Sequence, residues 1–137
     1  MFPDSIRTLI AEEQQRQQGR FLDGVDVSAY LAKLEARAEI LSESTQDRCR
    51  GFVAFYCNDE TTWQAYITLV LIDPRDRGRG LGRALVAAVL DIARRRGYRT
   101  CRLEVSEDSA AARDLYASMG FSAVEQRAGR HLLEVAL

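Results

Sequence analysis

The 137-residue chain is short of several things, and each shortage removes a class of function. Its one lysine, Lys33, lies far from the glycines at 78, 80 and 82, so the lysine that a P-loop needs behind its glycines is missing and ATP or GTP use by that route is disfavoured. Its one histidine, His131, has no cluster of cysteines or carboxylates at ligand spacing, so it reads as an exposed strand residue and no metal is expected. Three cysteines, Cys49, Cys57 and Cys101, are odd in number and irregularly spaced, which fits reduced thiols rather than a disulfide framework or zinc site. No run approaches the roughly 18 to 20 apolar residues of a membrane span, and residues 1–19 lack an apolar signal core. A cytoplasmic protein without a membrane partner is expected. The net charge of −1 steers the chain to no polyanion. The run Arg94-Arg95-Arg96 falls at a helix end, where it offsets the dipole, and no aromatics interleave it, so nucleic acid is not an expected partner. Without repeats or linkers, residues 1–137 read as a single domain of ordinary composition, 47% apolar and 28% charged.

What is present centres on residues 66–96. Ile67-Thr68-Leu69-Val70-Leu71-Ile72 is apolar but for one threonine and rich in β-branched residues, which predicts a strand buried on both faces. Asp73-Pro74-Arg75-Asp76 ends it, because Pro74 has no N–H for the ladder. After Arg77-Gly78-Arg79-Gly80-Leu81-Gly82, the residues Leu81, Leu85, Ala88, Val89 and Ile92 recur at helical steps and predict one buried face, with Arg79, Arg83, Asp91, Arg94 and Arg95 opposite. Each glycine in a helix interior costs about 1 kcal/mol relative to alanine, so three at alternate positions answer a need for close backbone approach. Free N–H groups at a helix start carry partial positive charge, which Arg75, Arg77, Arg79 and Arg83 strengthen. An anion site for a phosphorylated cofactor is implied. The dinucleotide pattern Gly-x-Gly-x-x-Gly is not met, because the third glycine comes one place early.

The flanking chain reads as alternating elements. A helix over 4–18, capped by Asp4 or Ser5 and closed by Gly19, precedes a second one over 29–37 capped by Ser28. Strands over 38–43, 52–56 and 65–72, separated by turns at 45–50 and 58–60, form an antiparallel meander. After the central helix, residues 100–105 alternate as a strand parallel to the one before the glycines, a βαβ unit. Ser109 caps a short helix over 110–118 ended by Gly120, and 121–127 with 131–135 close a final hairpin.

The hexapeptide Arg77-Gly78-Arg79-Gly80-Leu81-Gly82, behind its strand and acidic-proline turn, resembles the pyrophosphate loop of the GCN5-related N-acetyltransferases, the GNAT family, whose pattern is Gln/Arg-x-x-Gly-x-Gly/Ala. Leu115-Tyr116-Ala117-Ser118-Met119-Gly120-Phe121 resembles that family's Leu-Tyr-x-x-x-Gly-Phe and follows in the same chain order. The resemblance runs from about residue 38 to the end; the first two helices match by position only, and in the family they border the acceptor site. It implies an α/β fold with a mixed, mostly antiparallel sheet, a central parallel βαβ unit and flanking helices. It also implies acetyl-CoA as cosubstrate, no metal, and direct transfer of acetyl to an amine in a ternary complex. No cysteine lies in the matched motifs to carry a covalent intermediate. A non-catalytic acyl-CoA-binding or sensing module and a protein N-acetyltransferase are the alternatives, and a homodimer is compatible with any of them.

By the same resemblance, the main chain near Leu71 and Ile72 pairs with the pantetheine arm in a gap between splayed strands, and Arg77, Gly78, Arg79, Gly80, Leu81, Gly82 and Arg83 hold the pyrophosphate. Tyr116 protonates the departing thiolate or hydrogen-bonds its sulfur; otherwise its ring anchors its helix. Ser109 stands where relatives often carry a cofactor-contacting asparagine, and a plain N-cap is its other reading. Many relatives that acetylate lysine carry a glutamate on the strand before the loop, whereas residues 63–72 hold no carboxylate. A lysine amine, of reference pKa about 10.4, needs such a base, while an amine near 7.7 to 8.0 needs far less help. The acceptor expected is therefore a small molecule of low amine pKa, such as an amino sugar or amino acid derivative, with water or Glu104 relaying the proton. Glu104 also reads as a cross-strand partner for an arginine. Tyr56, Asn58 and Tyr66 could line an acceptor pocket, but a turn and two sheet aromatics is the preferred reading. The low-pKa acceptor predicts a rate that levels off near pH 8; a rate climbing tenfold per pH unit up to about 10 contradicts it.

Overall fold

A computed structural model describes residues 3–19, 21–22 and 26–137. Two N-terminal helices, α1 (Asp4–Arg16) and α2 (Val27–Arg37), precede the strands β1 (Glu39–Ser44), β2 (Cys49–Tyr56) and β3 (Gln64–Ile72). A 3₁₀ turn, Pro74–Asp76, leads through the glycine loop to α3 (Leu81–Arg95). Then come β4 (Thr100–Ser106), α4 (Ala110–Ser118), β5 (Ser122–Arg127) and β6 (Arg130–Ala136). The six strands form one sheet in the order β1-β2-β3-β4-β6-β5, antiparallel except for the β3–β4 pair that α3 bridges. The expected mixed sheet and βαβ unit are both present.

Helix caps depart from expectation in detail. The α1 start is taken by Pro3, whose carbonyl accepts from Ile6 and Arg7, so neither Asp4 nor Ser5 caps it. Asp26, not Ser28, caps α2 by accepting from the Ala29 N–H at 3.1 Å, because a carboxylate three residues upstream reaches that orphan donor first. Ser109 does hold the N-cap position of α4, but its hydroxyl makes no cap hydrogen bond. Gly19 closes the α1 turn at φ +82°, donating to the Gln14 carbonyl.

Two cores lie on the two faces of the sheet. On the α3 side, Val53, Phe55, Ile67 and Leu103 pack with Val86, Val89, Tyr116 and Phe121. On the other, Phe52, Ala54, Leu69 and Leu71 pack under Ile6, Leu9, Ile10 and Leu34 from α1 and α2. Burying Phe52 or Phe55 is worth about 1.5–3 kcal/mol each, more than the ~0–1 kcal/mol of a surface ion pair, so apolar packing holds the layers together. Ala88, assigned to the buried face of α3, is exposed; the stripe runs instead through Leu85, Val86, Val89, Leu90 and Ala93. An alanine's single methyl carries too little apolar area to decide a face.

The strand buried on both faces is β2, not β3. Residues of β3 alternate between buried and half-buried along its length. Its register against β2 passes from Ala54↔Leu69 to Phe55↔Ile67, so Thr68 is an extra residue, a β-bulge. Ala65 and Ile67 therefore face the α3 core before the bulge, and Leu69 and Leu71 face the α1–α2 core after it. One unbroken apolar run fills two different faces in succession.

Gly51 of β2 sits where the end of β3 and the start of α3 converge. A Cβ there would meet Ile72 Cδ1 at 2.6 Å, Leu81 Cδ2 at 3.1 Å and the Leu71 carbonyl oxygen at 3.3 Å. Gly51→Ala is expected to lower stability by about 1–3 kcal/mol, read by urea unfolding, because the junction behind the glycine loop is already filled.

Candidate functional site

The two parallel strands part. Their pairing runs from Gln64↔Thr100 to Ile67↔Leu103 and stops there, at the level of the Thr68 bulge. Beyond it opens a cleft of about 1070 Å³ whose walls include Thr68 and Val70 from β3, Glu104 and Ser106 from β4, Ser109 and Tyr116 from α4, and Arg16 and Phe21 from the N-terminal segment.

The β3 edge that faces this gap is set by the ladder to β2. Asp73 N–H donates to the Arg50 carbonyl at 2.8 Å, and Gly51 opposes Ile72. Antiparallel pairs alternate between bonded and non-bonded, so Leu71, opposite Phe52, spends its N–H and carbonyl on β2, while those of Val70 and Ile72 point to the gap. Leu71 turns its side chain into the core under α1 and α2. Val70, which the sequence reading missed, is the main-chain contributor beside Ile72, since only register against β2 distinguishes odd from even positions.

Past the end of β3 the loop turns through Gly78 (φ +76°) and Gly80 (φ +81°), both in the left-handed region, where glycine is favoured. Gly80 is the N-cap of α3. Among the described residues the N–H groups of 78–83 have no acceptor, and Ala84 is the first to bond back, to the Gly80 carbonyl at 3.0 Å. Six donors beside a helix N-terminus make a cradle for an anion. Gly82 has ordinary helical geometry, and a Cβ there would reach only ordinary contact, 3.7 Å from Ile72.

The four arginines assigned to this field divide. Arg75 folds back on Asp73, with Nη2 to Oδ2 at 2.8 Å. Arg77 donates through Nε to the Ile72 carbonyl (3.1 Å) and through Nη2 to Glu13 Oε1 of α1 (3.0 Å). Arg83 contacts the Ser118 hydroxyl. Arg79 is exposed and has no partner among the described residues, so it is the cation left for a phosphate. Glu13 is 4% exposed and also accepts from Gln17 (2.6 Å) and Arg16. Burial pushes its carboxyl up, but the Gln17 hydrogen bond and the Arg77 and Arg16 charges outweigh that and hold it below the ordinary range. The sequence did carry a signal for Glu13: it falls four residues after Leu9 and three after Ile10, on the apolar stripe, where a carboxylate needs a partner.

Tyr116 is 8% exposed, edge-on to Phe121, and lines the cleft; burial pushes its hydroxyl above the ordinary tyrosine value. No group of the described residues hydrogen-bonds that hydroxyl, so it is free to serve a ligand. Ser109, exposed and uncapping, lies on the same wall. Glu104 also lines the cleft but accepts from Arg130 Nε across β6 at 3.1 Å, the cross-strand partnership that was its alternative reading. Neither Tyr56 nor Asn58 lines the cleft: Tyr56 lies under Lys33, and Asn58 donates to the Arg37 carbonyl at 3.4 Å. Tyr66 is off the cleft too, its hydroxyl pushed up to about 12 by burial and then by the Glu104 charge. The three cysteines are free and buried, and burial pushes Cys101 up to about 12, so its thiol stays protonated at neutral pH.

A mixed sheet whose parallel strands part beside a glycine-capped helix N-terminus defines an α/β protein built to hold an extended ligand with an anionic end. The chain belongs to the acetyltransferase (GNAT) family, whose model matches residues 6–121. A mycothiol acetyltransferase of Beutenbergia cavernae is 42% identical over 66 residues, 48% of this chain and 22% of that protein. The ribosomal protein bS18-alanine N-acetyltransferase of Escherichia coli is 41% identical over 59 residues, 43% of this chain and 40% of that protein. The matched stretch is thus less than half the length of either relative. A solved structure from Pyrococcus horikoshii OT3 matches with a TM-score of 0.81 at 20% identity, covering 100% of this chain and 93% of that one. The PaiA N-acetyltransferase of Thermoplasma acidophilum, solved with coenzyme A, matches with a TM-score of 0.69 at 14% identity, covering 100% and 80%. These structures share the fold. Among the described residues no helix is long and apolar enough to cross a membrane.

The turn into the loop is held by buried carboxylates. Asp73 caps it, accepting from the Arg75 N–H at 2.9 Å, and the Arg75 guanidinium lowers its carboxyl to about 2. Asp76 accepts from Arg48 (2.5 Å) and Arg50 (3.0 Å). An unfolded aspartate titrates near 3.9, so the stability Asp73 contributes is fully present above about pH 4 and is lost as pH falls through about 2. Thermal melts of Asp73→Asn should show a lower Tm at pH 7 and a shallower decline between those two pH values than the parent chain.

Proposed function

We propose that the chain is an acetyl-CoA-dependent N-acetyltransferase that moves acetyl directly to the amine of a small molecule of low amine pKa, such as an amino sugar or amino acid derivative. The parting of β3 and β4 carries this reading, because it frees the β3 edge that leads on to the glycine loop and opens a cleft whose wall bears Tyr116. In it, the pyrophosphate rests on residues 78–83 with Arg79 beside it, the pantetheine arm follows the main chain of Val70 and Ile72, and the thioester lies near Thr68. Leu81 and Gly82 contribute the first helical N–H groups, Ser109 lies on the wall beside the arm, and Arg77 and Arg83 brace the loop from behind.

The amine nitrogen attacks the thioester carbonyl carbon, the C–S bond breaks, and the thiolate leaves while the nitrogen sheds a proton. A coenzyme A thiol has a reference pKa near 8.5 and tyrosine one near 10, which burial raises further at Tyr116. Tyr116 therefore keeps its proton and stabilises the thiolate by a hydrogen bond. Glu104 holds Arg130 through Oε2 and keeps Oε1 for a proton, so the amine proton leaves to Glu104 or to water. A second reading, acetylation of a protein N-terminal amine, meets the same low-pKa requirement and is favoured by the 41% identity to the alanine N-acetyltransferase.

Release of free thiol from acetyl-CoA, measured against amino sugars, amino acids, polyamines, N-terminal peptides and lysine peptides, tests both. Turnover is expected with the low-pKa amines. Binding of acetyl-CoA without release for any class would support a sensing module instead. With saturating acetyl-CoA and an active acceptor, Tyr116→Phe should lower kcat about tenfold or more while KM for acetyl-CoA changes little; an unchanged kcat removes Tyr116 from the reaction.

A further inference from the structure

The carbonyl groups along the unpaired edge of β3 are not equivalent. At its start, the Tyr30 hydroxyl of α2 lies 3.3 Å from the Thr68 carbonyl and 2.9 Å from the Thr68 hydroxyl. Those two contacts form a closed pair when Thr68 Oγ1 donates to Tyr30 and Tyr30 donates to the Thr68 carbonyl. At its end, Arg77 Nε donates to the Ile72 carbonyl at 3.1 Å while its Nη2 is tied to buried Glu13. Leu69 and Leu71 turn their carbonyls to β2 by the alternation of that ladder. Val70 is left, between two carbonyls that side chains already occupy.

Both stops are firmly placed. Tyr30 packs against the second core, and its burial pushes the hydroxyl above the ordinary tyrosine value, so it remains a donor across neutral pH. Arg77 is fixed by a carboxylate that would be left buried and unpaired if it moved. Both tethers come from the helices on the side of the sheet opposite α3, and they grip the two ends of the same five-residue edge.

We propose that Tyr30 and Arg77 are positioning residues that set the register of the acyl-pantetheine arm: by occupying the carbonyls of Thr68 and Ile72 they leave Val70 as the main-chain acceptor for an amide of the arm. The inference rests on the cosubstrate reading above. An arm displaced by one pairing step along the strand would meet a carbonyl that already carries a side-chain donor, and would have to share or displace that donor to stay there.

The test is NMR of the full chain isotopically labelled at its carbonyl carbons and amide nitrogens, titrated with acetyl-CoA. Shifts of the amides at 78–83 report binding itself. With those shifts present, the Val70 carbonyl resonance should move downfield while those of Thr68 and Ile72 stay in place; in Tyr30→Phe, the freed Thr68 carbonyl should respond as well. Equal responses at Thr68 and Val70 in the parent chain, or a Tyr30→Phe pattern identical to it, would overturn the proposal while leaving acetyl-CoA binding intact. Silence at 78–83 would instead sink the cosubstrate reading, and the register with it. If Tyr30→Phe does not fold, the parent-chain pattern alone decides the matter.

Discussion

A single interruption in a β-ladder governs this molecule. At Thr68 the β3 strand takes in one residue more than β2 can match, and at the same level its pairing with β4 ends. A bulge increases local twist and re-aims the chain, so the two features belong together physically. Buried main-chain groups must be paired, and a strand that gave up both neighbours would unravel. β3 avoids this by keeping its bonds to β2, the strand buried on both faces, while exposing its other edge to the open cleft.

The second constraint is electrostatic and lies just beyond that gap. Glu13, Asp73 and Asp76 are the buried charged residues among those described, and all three face arginines in or beside the segment that leads into the glycine loop. A buried carboxylate is costly unless paired, so each one fixes its arginine. Arg75 and Arg77 are thereby spent on bracing the loop, which leaves N–H groups at a helix start, with Arg79 and Arg83, as the positive field offered to a ligand. Such a cradle is shaped by backbone, which explains why it depends on glycines at positive φ.

In the direct transfer we propose, the protein has to hold an extended thioester straight and steady a departing thiolate. Nothing in the cleft needs to be a nucleophile, and the buried cysteines offer none. The N-terminal helices act from the other side of the sheet, since Tyr30 reaches one end of the unpaired edge and Glu13 holds the Arg77 that bonds the other.

Periodicity and punctuation alone located the elements: glycines at alternate positions, Pro74 after a β-branched run, and helical spacing in α3 are local signals that tertiary context did not override. Misreadings fell where two local readings compete. Ser28 and Asp26 are both good caps, and Ala88 is too small to declare a face. The six-residue apolar run of β3 looked buried on both sides because a bulge, invisible in composition, lets it fill one core and then the other. By itself the sequence determined the fold class, the phosphate-type loop and the place of Tyr116 in the chain, because backbone geometry and apolar patterning are encoded within a few residues of one another. Only the tertiary structure decided that Val70 rather than Leu71 turns its main chain to the gap, that Arg77 bonds the Ile72 carbonyl and Glu13, and that Tyr30 reaches Thr68. Those facts depend on register and on contacts between residues dozens of positions apart, and no local pattern records them.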